Sequence, residues 1–418
     1  MAITPATAGD LTRAWVWKPA NANMAGQPGP RLFGSPTVVN GRVYIGAHTG
    51  VFYALDESTG HVIWHRFLGF VTGKTCGARG FAATATVARD PVSHALTVYV
   101  AAADGYLYAL RAATGVTVWR SVVALPSSTV SDYYNWGSPT VVGGRVYMGV
   151  SSQCDQPLVA GGLKAYNQST GKLIAFYKTN PGGATGPSIW SSAAAPSSAA
   201  SLFVTTGNGA GPNQISVIRL DPATLAQTSA WQVPASQLKN DSDFGGSPTL
   251  FSAKLNGGTV PMVGACNKNG IFYALKQSDL AAGPVWQFDI GSPAAEPPEC
   301  LAAAVWDGSR LFVAGNQTVI GGTTYQGSVA ALAPATGAPA WQTGLPGPVV
   351  GSPTLDGGGV LAVPTFNASG VYLLNAATGA ILAHLATGPV FGQPVFADNM
   401  MLVPTKLNGL WAYRSTSP

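Results

Sequence analysis

A repeated segment of about 55 residues constrains the fold of this chain more than any other feature. The opening GSPTVVNGRVYIG at Gly34 recurs as GSPTVVGGRVYMG at Gly137, GSPTLF at Gly246 and GSPTLDGGG at Gly351. A turn motif ends successive units at Gly60, Gly115, Gly171, Leu225, Leu280, Gly337 and Gly379, with spacings of 54 to 57 residues and a last spacing of 42. Such periods are typical of β-propeller blades and exceed those of ankyrin or leucine-rich repeats.

Each unit contains four short segments with strand character. In the first unit these are GSPTVV, RVYIGA, VFYALD and HVIW. Their alternation buries one face of each strand, and a neighbouring blade on each side would cover it. The last strand of five units carries a tryptophan that we interpret as a wedge between blades: Trp64, Trp119, Trp231, Trp286 and Trp341.

The final unit stops after its third strand, near Arg414. The segment LTRAWVWK at residues 11–18 has the character of the missing fourth strand, and its pairing with residues 390–414 would leave no free sheet edge. The sequence therefore predicts an all-β fold over a single domain, residues 1–418. We expect an eight-bladed β-propeller of four-stranded antiparallel blades, closed by the N-terminal strand completing the last blade.

Composition excludes several classes of function. The 22 basic and 17 acidic residues are scattered singly, so nucleic-acid binding is not expected. No run of 18 apolar residues lacks Gly, Pro or a charge, so no membrane span is expected. The first residues lack the features of a signal peptide, which leaves either a cytosolic protein or one whose export signal has been removed.

The four cysteines have neither CxxC nor CxxCH spacing, so we expect no zinc pair and no haem. Their even number permits two disulfides, although four buried thiols are the alternative.

Acidic residues are scarce, which narrows the search for a catalytic group. Five aspartates lie in turn motifs and are expected to organise turns: Asp56, Asp104, Asp221, Asp307 and Asp356. The acids that remain as candidates are Asp132, Asp155, Asp241, Asp243, Glu296 and Glu299. The histidines form no catalytic triad, and the one metal-spaced pair, His61 and His65, flanks the outer strand of Trp64.

Most of the unusual polar residues are expected at one face of the propeller. In this fold the loops before the first strand and between the second and third strands open on the same side, around the channel. These loops are predicted to hold Cys76, Arg79, Cys154, Asp155, Trp190, Asn208, Asp241, Asp243, Lys268 and Cys300.

The repeats resemble those of the quinoprotein alcohol dehydrogenases, eight-bladed propellers that bind pyrroloquinoline quinone (PQQ), and especially the polyvinyl-alcohol dehydrogenase branch. The resemblance is most specific between Gly137 and Leu275, in GVSS, SIWSS, VTTGN, DSDFGGSP and NKNGIFYAL. It implies that Trp190 stacks on the quinone, that Lys268 contacts the quinone oxygens, and that Arg79 is a second such cation.

The resemblance also implies a calcium ion and a catalytic base. Asn208 matches a metal-ligating asparagine, and Asp243 matches the acid that serves as base and approaches the metal. Asp241 could substitute for Asp243 if the alignment shifts. Ca²⁺ takes hard oxygen ligands and would draw electrons from the quinone, while the carboxylate takes the alcohol proton.

The chain departs from this family at one loop. The metal-ligating Glu and the vicinal Cys pair are replaced by QCDQPLVAGG, where Asp155 takes the place of the Glu. Of the three connectivities that four cysteines allow, we expect Cys76–Cys154 and Cys266–Cys300.

Three functions follow from these patterns. The first is PQQ- and Ca²⁺-dependent oxidation of an alcohol or hydroxylated polymer in a secreted or periplasmic protein, with electrons passed to an external acceptor. The second is a non-catalytic propeller acting as a binding or assembly scaffold, similar to the outer-membrane assembly propellers. The third is an enzyme that uses Asp243 or Asp241 as an acid or base without a quinone.

Overall fold

Short strands dominate the computed structural model, which describes residues 3–20, 31–72, 75–291, 300–367 and 370–415. Its helices are two single 3₁₀ turns at Ala8–Asp10 and Ala235–Gln237. Within these ranges, no helix has the length and apolar character needed to span a membrane.

The strands are numbered β1 to β33 in chain order. The first eighteen are β1 (Leu11–Trp17), β2 (Thr37–Val39), β3 (Arg42–Gly46), β4 (Val51–Asp56), β5 (Val62–Phe67), β6 (Val71–Thr72), β7 (Ala78–Arg79), β8 (Thr86–Arg89), β9 (Leu96–Ala101), β10 (Tyr106–Arg111), β11 (Thr117–Val122), β12 (Thr140–Val142), β13 (Arg145–Val150), β14 (Gly162–Asn167), β15 (Leu173–Lys178), β16 (Leu202–Thr205), β17 (Ser216–Leu220) and β18 (Gln227–Gln232). The others are β19 (Thr249–Leu255), β20 (Gly258–Cys266), β21 (Ile271–Lys276), β22 (Asp279–Asp289), β23 (Val305–Trp306), β24 (Leu311–Ile320), β25 (Thr323–Leu332), β26 (Pro339–Leu345), β27 (Thr354–Leu355), β28 (Val360–Pro364), β29 (Val371–Asn375), β30 (Ile381–Leu385), β31 (Val395–Ala397), β32 (Met400–Thr405) and β33 (Gly409–Ser415).

These strands form eight antiparallel blades, which confirms the predicted eight-bladed β-propeller. Seven blades are four-stranded sheets, and β6 with β7 forms a separate two-stranded ribbon. The fourth blade differs because its first strand is reduced to an antiparallel bridge between Ala194 and Phe203. Pro196 lies two residues further on. Because proline has no N–H to donate, the hydrogen bonding of this strand does not extend past Pro196.

Contacts divide the chain into two compact units of four blades each. One unit comprises Met1–Lys18 with Val233–Pro418, and the other comprises Pro19–Gln232. Within the first unit, β1 pairs with β33 from Leu11 opposite Ser415 to Trp17 opposite Leu410. The N-terminal strand therefore completes the last blade, as predicted. That the whole chain is one domain stays a prediction.

The repeated tryptophans join successive blades, as expected. The Trp64 Nε1 donates a hydrogen bond to the carbonyl of Ala112 at 3.0 Å, in the turn of the next blade. Its ring lies against Gly115, where a Cβ would be 2.5 Å from the Trp64 Cε3. The same arrangement links Trp119 to Gln168, Trp286 to Pro334 and Trp341 to Ala376. The wedge is confirmed at these four positions and stays a prediction at Trp231.

Candidate functional site

Loops that enter blades, or that join second to third strands, carry all seven predicted site residues, as the repeat predicts. Arg79 lies on β7 before the second blade, and Asp155 lies between β13 and β14. Trp190 enters the fourth blade, and Asn208 lies between β16 and β17. In the other unit Asp241 and Asp243 precede β19, and Lys268 lies between β20 and β21. The two groups are described separately.

Asp241, Asp243 and Lys268 form the lysine cluster. Lys268 sits in a tight turn in which the Gly270 N–H donates to the carbonyl of Asn267 at 3.0 Å. Gly270 has a φ of +90°, which glycine adopts without steric cost. The Lys268 N–H donates to the Asp243 carbonyl at 3.1 Å, so backbone contact brings the two loops together.

The Lys268 ammonium contacts both carboxylates of the cluster. Its Nζ lies 2.5 Å from the Asp243 Oδ1 and 3.0 Å from the Asp241 Oδ2. The side chains of Lys268 and Asp243 are 12% and 4% exposed, whereas that of Asp241 is 46% exposed. The two candidate bases therefore differ in environment, since Asp243 forms a buried ion pair and Asp241 an exposed one.

Electrostatics keep Lys268 charged. Burial acts to lower the pKa of its ammonium, but the carboxylates of Asp243 and Asp241 outweigh that effect and raise the pKa above its ordinary value. The cluster is thus a fixed, largely desolvated cation beside a buried carboxylate. Such a pair can stabilise a developing negative charge and accept a proton at neighbouring positions.

Arg79, Trp136 and Trp190 form the aromatic cluster. The Arg79 guanidinium lies over the Trp136 ring at 4.7 Å from its centroid, and its Nη2 donates to the Cys76 carbonyl at 3.2 Å. The Trp136 and Trp190 rings meet edge to face with centroids 6.5 Å apart. The Trp136 indole is fixed because its Nε1 donates to the carbonyls of Ser152 and Gln153, each at 3.1 Å.

Asp155 and Asn208 are neighbours, as a shared metal site would require. The Asn208 Nδ2 lies 3.5 Å from the Asp155 Oδ2, and the Ser152 hydroxyl donates to the Asp155 Oδ1. Asp155 has a φ of +58°, in the left-handed region. Among the described residues, no group of three or more His, Cys, Asp and Glu side chains could hold a metal ion.

Both expected disulfides are present. Cys76 and Cys154 have Cα atoms 6.0 Å apart, and Cys266 and Cys300 have Cα atoms 5.1 Å apart. The first joins the loop of Arg79 to the loop of Asp155, and the second joins the fifth and sixth blades. The alternative of four free thiols is wrong.

The other candidate acids mainly serve local structure. Asp132 accepts hydrogen bonds from the backbone of Ser127 and Tyr133, both at 2.7 Å. Turn roles are confirmed for Asp56, Asp221 and Asp307. Two of the expected turn aspartates also make contacts beyond their turns: Asp104 accepts from the Tyr108 hydroxyl and Asp356 from the Ile3 N–H, each at 2.6 Å. Glu296 and Glu299 lie outside the described residues.

Sequence reasoning missed two residues at these loops. Trp136 of YNWGSPT occupies the repeat position of Trp190 in SIWSS, so alignment of the repeats could have identified it. His48, which the sequence patterns do not single out, is buried in the turn between β3 and β4.

These features define an eight-bladed propeller with cationic and aromatic side chains on its blade-entry loops. The family model PQQ_2, described as outer membrane protein assembly factor BamB, matches residues 4–240 and 275–382. Because this match covers more than half of the chain, the protein belongs to that family.

Curated relatives include both enzymes and assembly factors. A quinohemoprotein alcohol dehydrogenase of Pseudomonas putida is 32% identical over 148 residues, covering 35% of this chain and 20% of the relative. The outer membrane protein assembly factor BamB of Legionella pneumophila is 27% identical over 214 residues, covering 44% of this chain and 50% of the relative. The matches thus span between a fifth and a half of these relatives.

A solved structure supports the fold. The quinohemoprotein alcohol dehydrogenase of Comamonas testosteroni superposes with a TM-score of 0.74 at 18% identity, covering 98% of this chain and 77% of the other. The resemblance to quinoprotein alcohol dehydrogenases is confirmed at the level of the family. The polyvinyl-alcohol dehydrogenase branch stays a prediction.

Proposed function

We propose that this protein oxidises an alcohol with PQQ as cofactor and passes the electrons to an external acceptor. The buried ion pair of Lys268 with Asp243 carries the proposal. Only 9% of the residues are charged, yet two carboxylates and an ammonium share one loop pair. Burying a charged side chain is unfavourable unless it is paired with an opposite charge. Buried charged pairs are common at sites that bind a ligand or carry out a reaction.

Side chains on the loops that enter blades or join second to third strands suit a planar, anionic quinone. When bound, PQQ would supply an acceptor for the two electrons and the hydrogen removed from the alcohol. The half-buried Trp190 ring offers a flat apolar surface for stacking. Within the described part of the chain the Arg79 Nε is buried and has no hydrogen-bond partner, which suits a cation that binds an anionic group. Lys268 offers its ammonium to the quinone oxygens.

Asp243 is the proposed base. The hydroxyl of the alcohol would donate its hydrogen bond to the Asp243 carboxylate, which takes that proton as the C–H bond breaks. Lys268 holds the carboxylate in place through the 2.5 Å contact. Asp241 is the weaker candidate because it is 46% exposed and solvent competes for its oxygens.

For the metal, we propose Ca²⁺ at Asp155 and Asn208, two of its three predicted ligands. The third, Asp243, lies in the other unit and stays a prediction. Ca²⁺ prefers carboxylate and amide oxygens, and the neighbouring side chains of Asp155 and Asn208 carry one of each. Because the Asn208 Nδ2 faces Asp155, the Asn208 amide would have to turn to offer its oxygen to the ion. Asp155 is shorter than a glutamate at the same place, so this site would need other oxygens to complete the six to eight that Ca²⁺ takes.

The substrate would be a secondary alcohol or a hydroxylated polymer, and the location would be periplasmic or secreted. The two disulfides support an oxidising compartment, in which such bonds persist.

The test is reconstitution with PQQ and Ca²⁺, followed by reduction of an artificial dye with an alcohol. Asp243→Asn should lower kcat by at least about 100-fold, the range of a lost general base. The matched control is Asp279→Asn, an exposed aspartate of the same blade, which should keep wild-type turnover. Full turnover in Asp243→Asn together with a loss in Asp241→Asn would move the base to Asp241. Full turnover in both variants would refute the mechanism.

The second candidate is a non-catalytic assembly scaffold. It is favoured by the description of the matching family model and by the Legionella pneumophila relative. A scaffold would bind neither PQQ nor Ca²⁺ and would tolerate neutral substitutions at Lys268, so absence of cofactor binding would favour it.

A further inference from the structure

The turn between β3 and β4 lies directly against the segment that carries Arg79. The Phe81 N–H donates to the Ala47 carbonyl at 3.1 Å. Gly80 is so close that a Cβ there would lie 2.2 Å from the carbonyl oxygen of His48. The Gly80 carbonyl in turn accepts a hydrogen bond from the Tyr134 hydroxyl at 2.7 Å. His48 and Arg79 are therefore held on neighbouring, well-anchored stretches of backbone.

Three side-chain atoms at this place are buried and have no hydrogen-bond partner among the described residues. They are the His48 Nδ1, the Thr49 Oγ1 and the Arg79 Nε. His48 is only 6% exposed. A buried polar atom left without a partner is unfavourable, so native proteins rarely retain several together. Three such atoms on adjacent segments indicate that a polar group from outside the chain completes them.

The charged side chains near His48 are positive, so they favour binding of an anion. The guanidiniums of Arg79 and Arg31 both act on His48, and the Tyr134 phenol acts on Arg79. His48 also contacts the Phe33 ring, at a centroid distance of 4.8 Å, and the backbone of Ala78. In the parts of the chain that are described, no carboxylate acts on His48 or forms an ion pair with Arg79.

We propose that His48, Thr49 and Arg79 bind a carboxylate group and that binding is coupled to uptake of a proton by His48. The carboxylate belongs either to a free small acid or to PQQ, and only the second case rests on the proposed function. A solvent proton adds to the lone pair of the His48 Nδ1. The new N–H then donates to a carboxylate oxygen, and the Arg79 Nε–H donates to the same group.

Electrostatics give the coupling its direction. Burial, Arg79 and Arg31 lower the pKa of His48 to about 4, so its ring is neutral near pH 7 without a ligand. A bound anion opposes the two guanidiniums and raises that pKa. A rise of about two units, usual for an adjacent opposite charge, makes affinity about tenfold higher at pH 5 than at pH 7. At pH 5.5 the same rise corresponds to uptake of about 0.7 proton per site.

The experiment measures proton uptake on binding of formate and, separately, of PQQ. Formate binding is followed through the histidine ring signals in NMR spectra, with the His48 signal assigned by its absence in His48→Gln. PQQ binding is measured by calorimetry at pH 5.5 in two buffers of different ionisation enthalpy. The matched control is His61→Gln, an exposed histidine of the same blade.

We expect protonation of His48 on formate binding, and proton uptake with PQQ that is lost in His48→Gln and kept in His61→Gln. Uptake that persists in His48→Gln, or formate and PQQ binding without any uptake by the wild type, would overturn the inference. If His48→Gln fails to fold, His48→Asn takes its place, because it also removes the titrating ring. PQQ binding without uptake would leave the proposed function intact, whereas formate uptake without PQQ binding would remove that function and leave this inference standing.

Discussion

Replacing Lys268 by methionine removes the cation of the lysine cluster and keeps most of the volume of the side chain. The Asp243 carboxylate, 4% exposed and 2.5 Å from the Lys268 Nζ, then stays buried without its counter-ion. Breaking a buried pair in this way lowers the free energy of unfolding by about 3 to 5 kcal/mol. Asp241→Asn should cost less than about 1 kcal/mol because an exposed ion pair is screened by solvent. Urea unfolding at pH 7, followed by tryptophan fluorescence, measures both.

Two further comparisons make the test specific. The double variant Lys268→Met with Asp243→Asn should recover part of the loss, because a neutral amide is easier to bury than a carboxylate.

The pKa of Lys268 is raised in the folded protein. The stability that the Lys268 ammonium contributes is therefore complete below pH 10.5, the ordinary pKa of a lysine, and is lost as pH rises through the folded-state pKa. The difference between wild type and Lys268→Met should therefore shrink above pH 10.5. Equal losses for Lys268→Met and Asp241→Asn would refute the reasoning.

Three other changes test the blades and the site loops. Gly115→Ala places a Cβ 2.5 Å from the Trp64 ring at a φ of +69°. It should lower the free energy of unfolding by about 2 kcal/mol more than Gly41→Ala, because Gly41 has a similar φ of +71° but open surroundings. Equal urea midpoints of the two variants would mean that the contact between Trp64 and the next blade contributes nothing. Cys76→Ser with Cys154→Ser opens a link across 78 residues and should destabilise the chain by up to about 4 kcal/mol, and an unchanged midpoint would contradict this. Trp190→Ala should weaken PQQ binding about tenfold in calorimetry while Trp190→Phe keeps most of it, and equal affinities of all three proteins would exclude stacking on this ring.

The repeats carry enough information to predict the blades. The spacing of the turn glycines and the alternation within each unit determine the strands, and the incomplete last unit predicts the pairing of β1 with β33. The fourth blade escaped this reasoning because its first strand lacks the GSPT pattern and is interrupted by Pro196, leaving only the bridge at Ala194. Alternation of apolar and polar residues shows which face of a strand is buried, but it does not show at which residue the hydrogen bonding between two strands ends.

The position of each site residue could also be predicted, but its contacts could not. Loop membership follows from the order of the strands, which predicts that Asp241, Asp243 and Lys268 lie on blade-entry or adjoining loops. That both carboxylates reach one ammonium depends on the φ of +56° at Asp241 and on the turn at Gly270, which spacing alone does not specify. His48 was missed because a single histidine in a strand turn gives no signal until its burial beside Arg79 is known.

The most direct test of the proposed function is an equilibrium titration of the purified chain with PQQ in the presence of Ca²⁺, read by calorimetry and by the absorbance of the quinone. The proposal predicts saturable binding of one PQQ per chain at micromolar concentration or below, and alcohol-dependent dye reduction that is lost in Asp243→Asn. Neither heat nor a change in quinone absorbance at micromolar PQQ would contradict the assignment and favour the assembly scaffold.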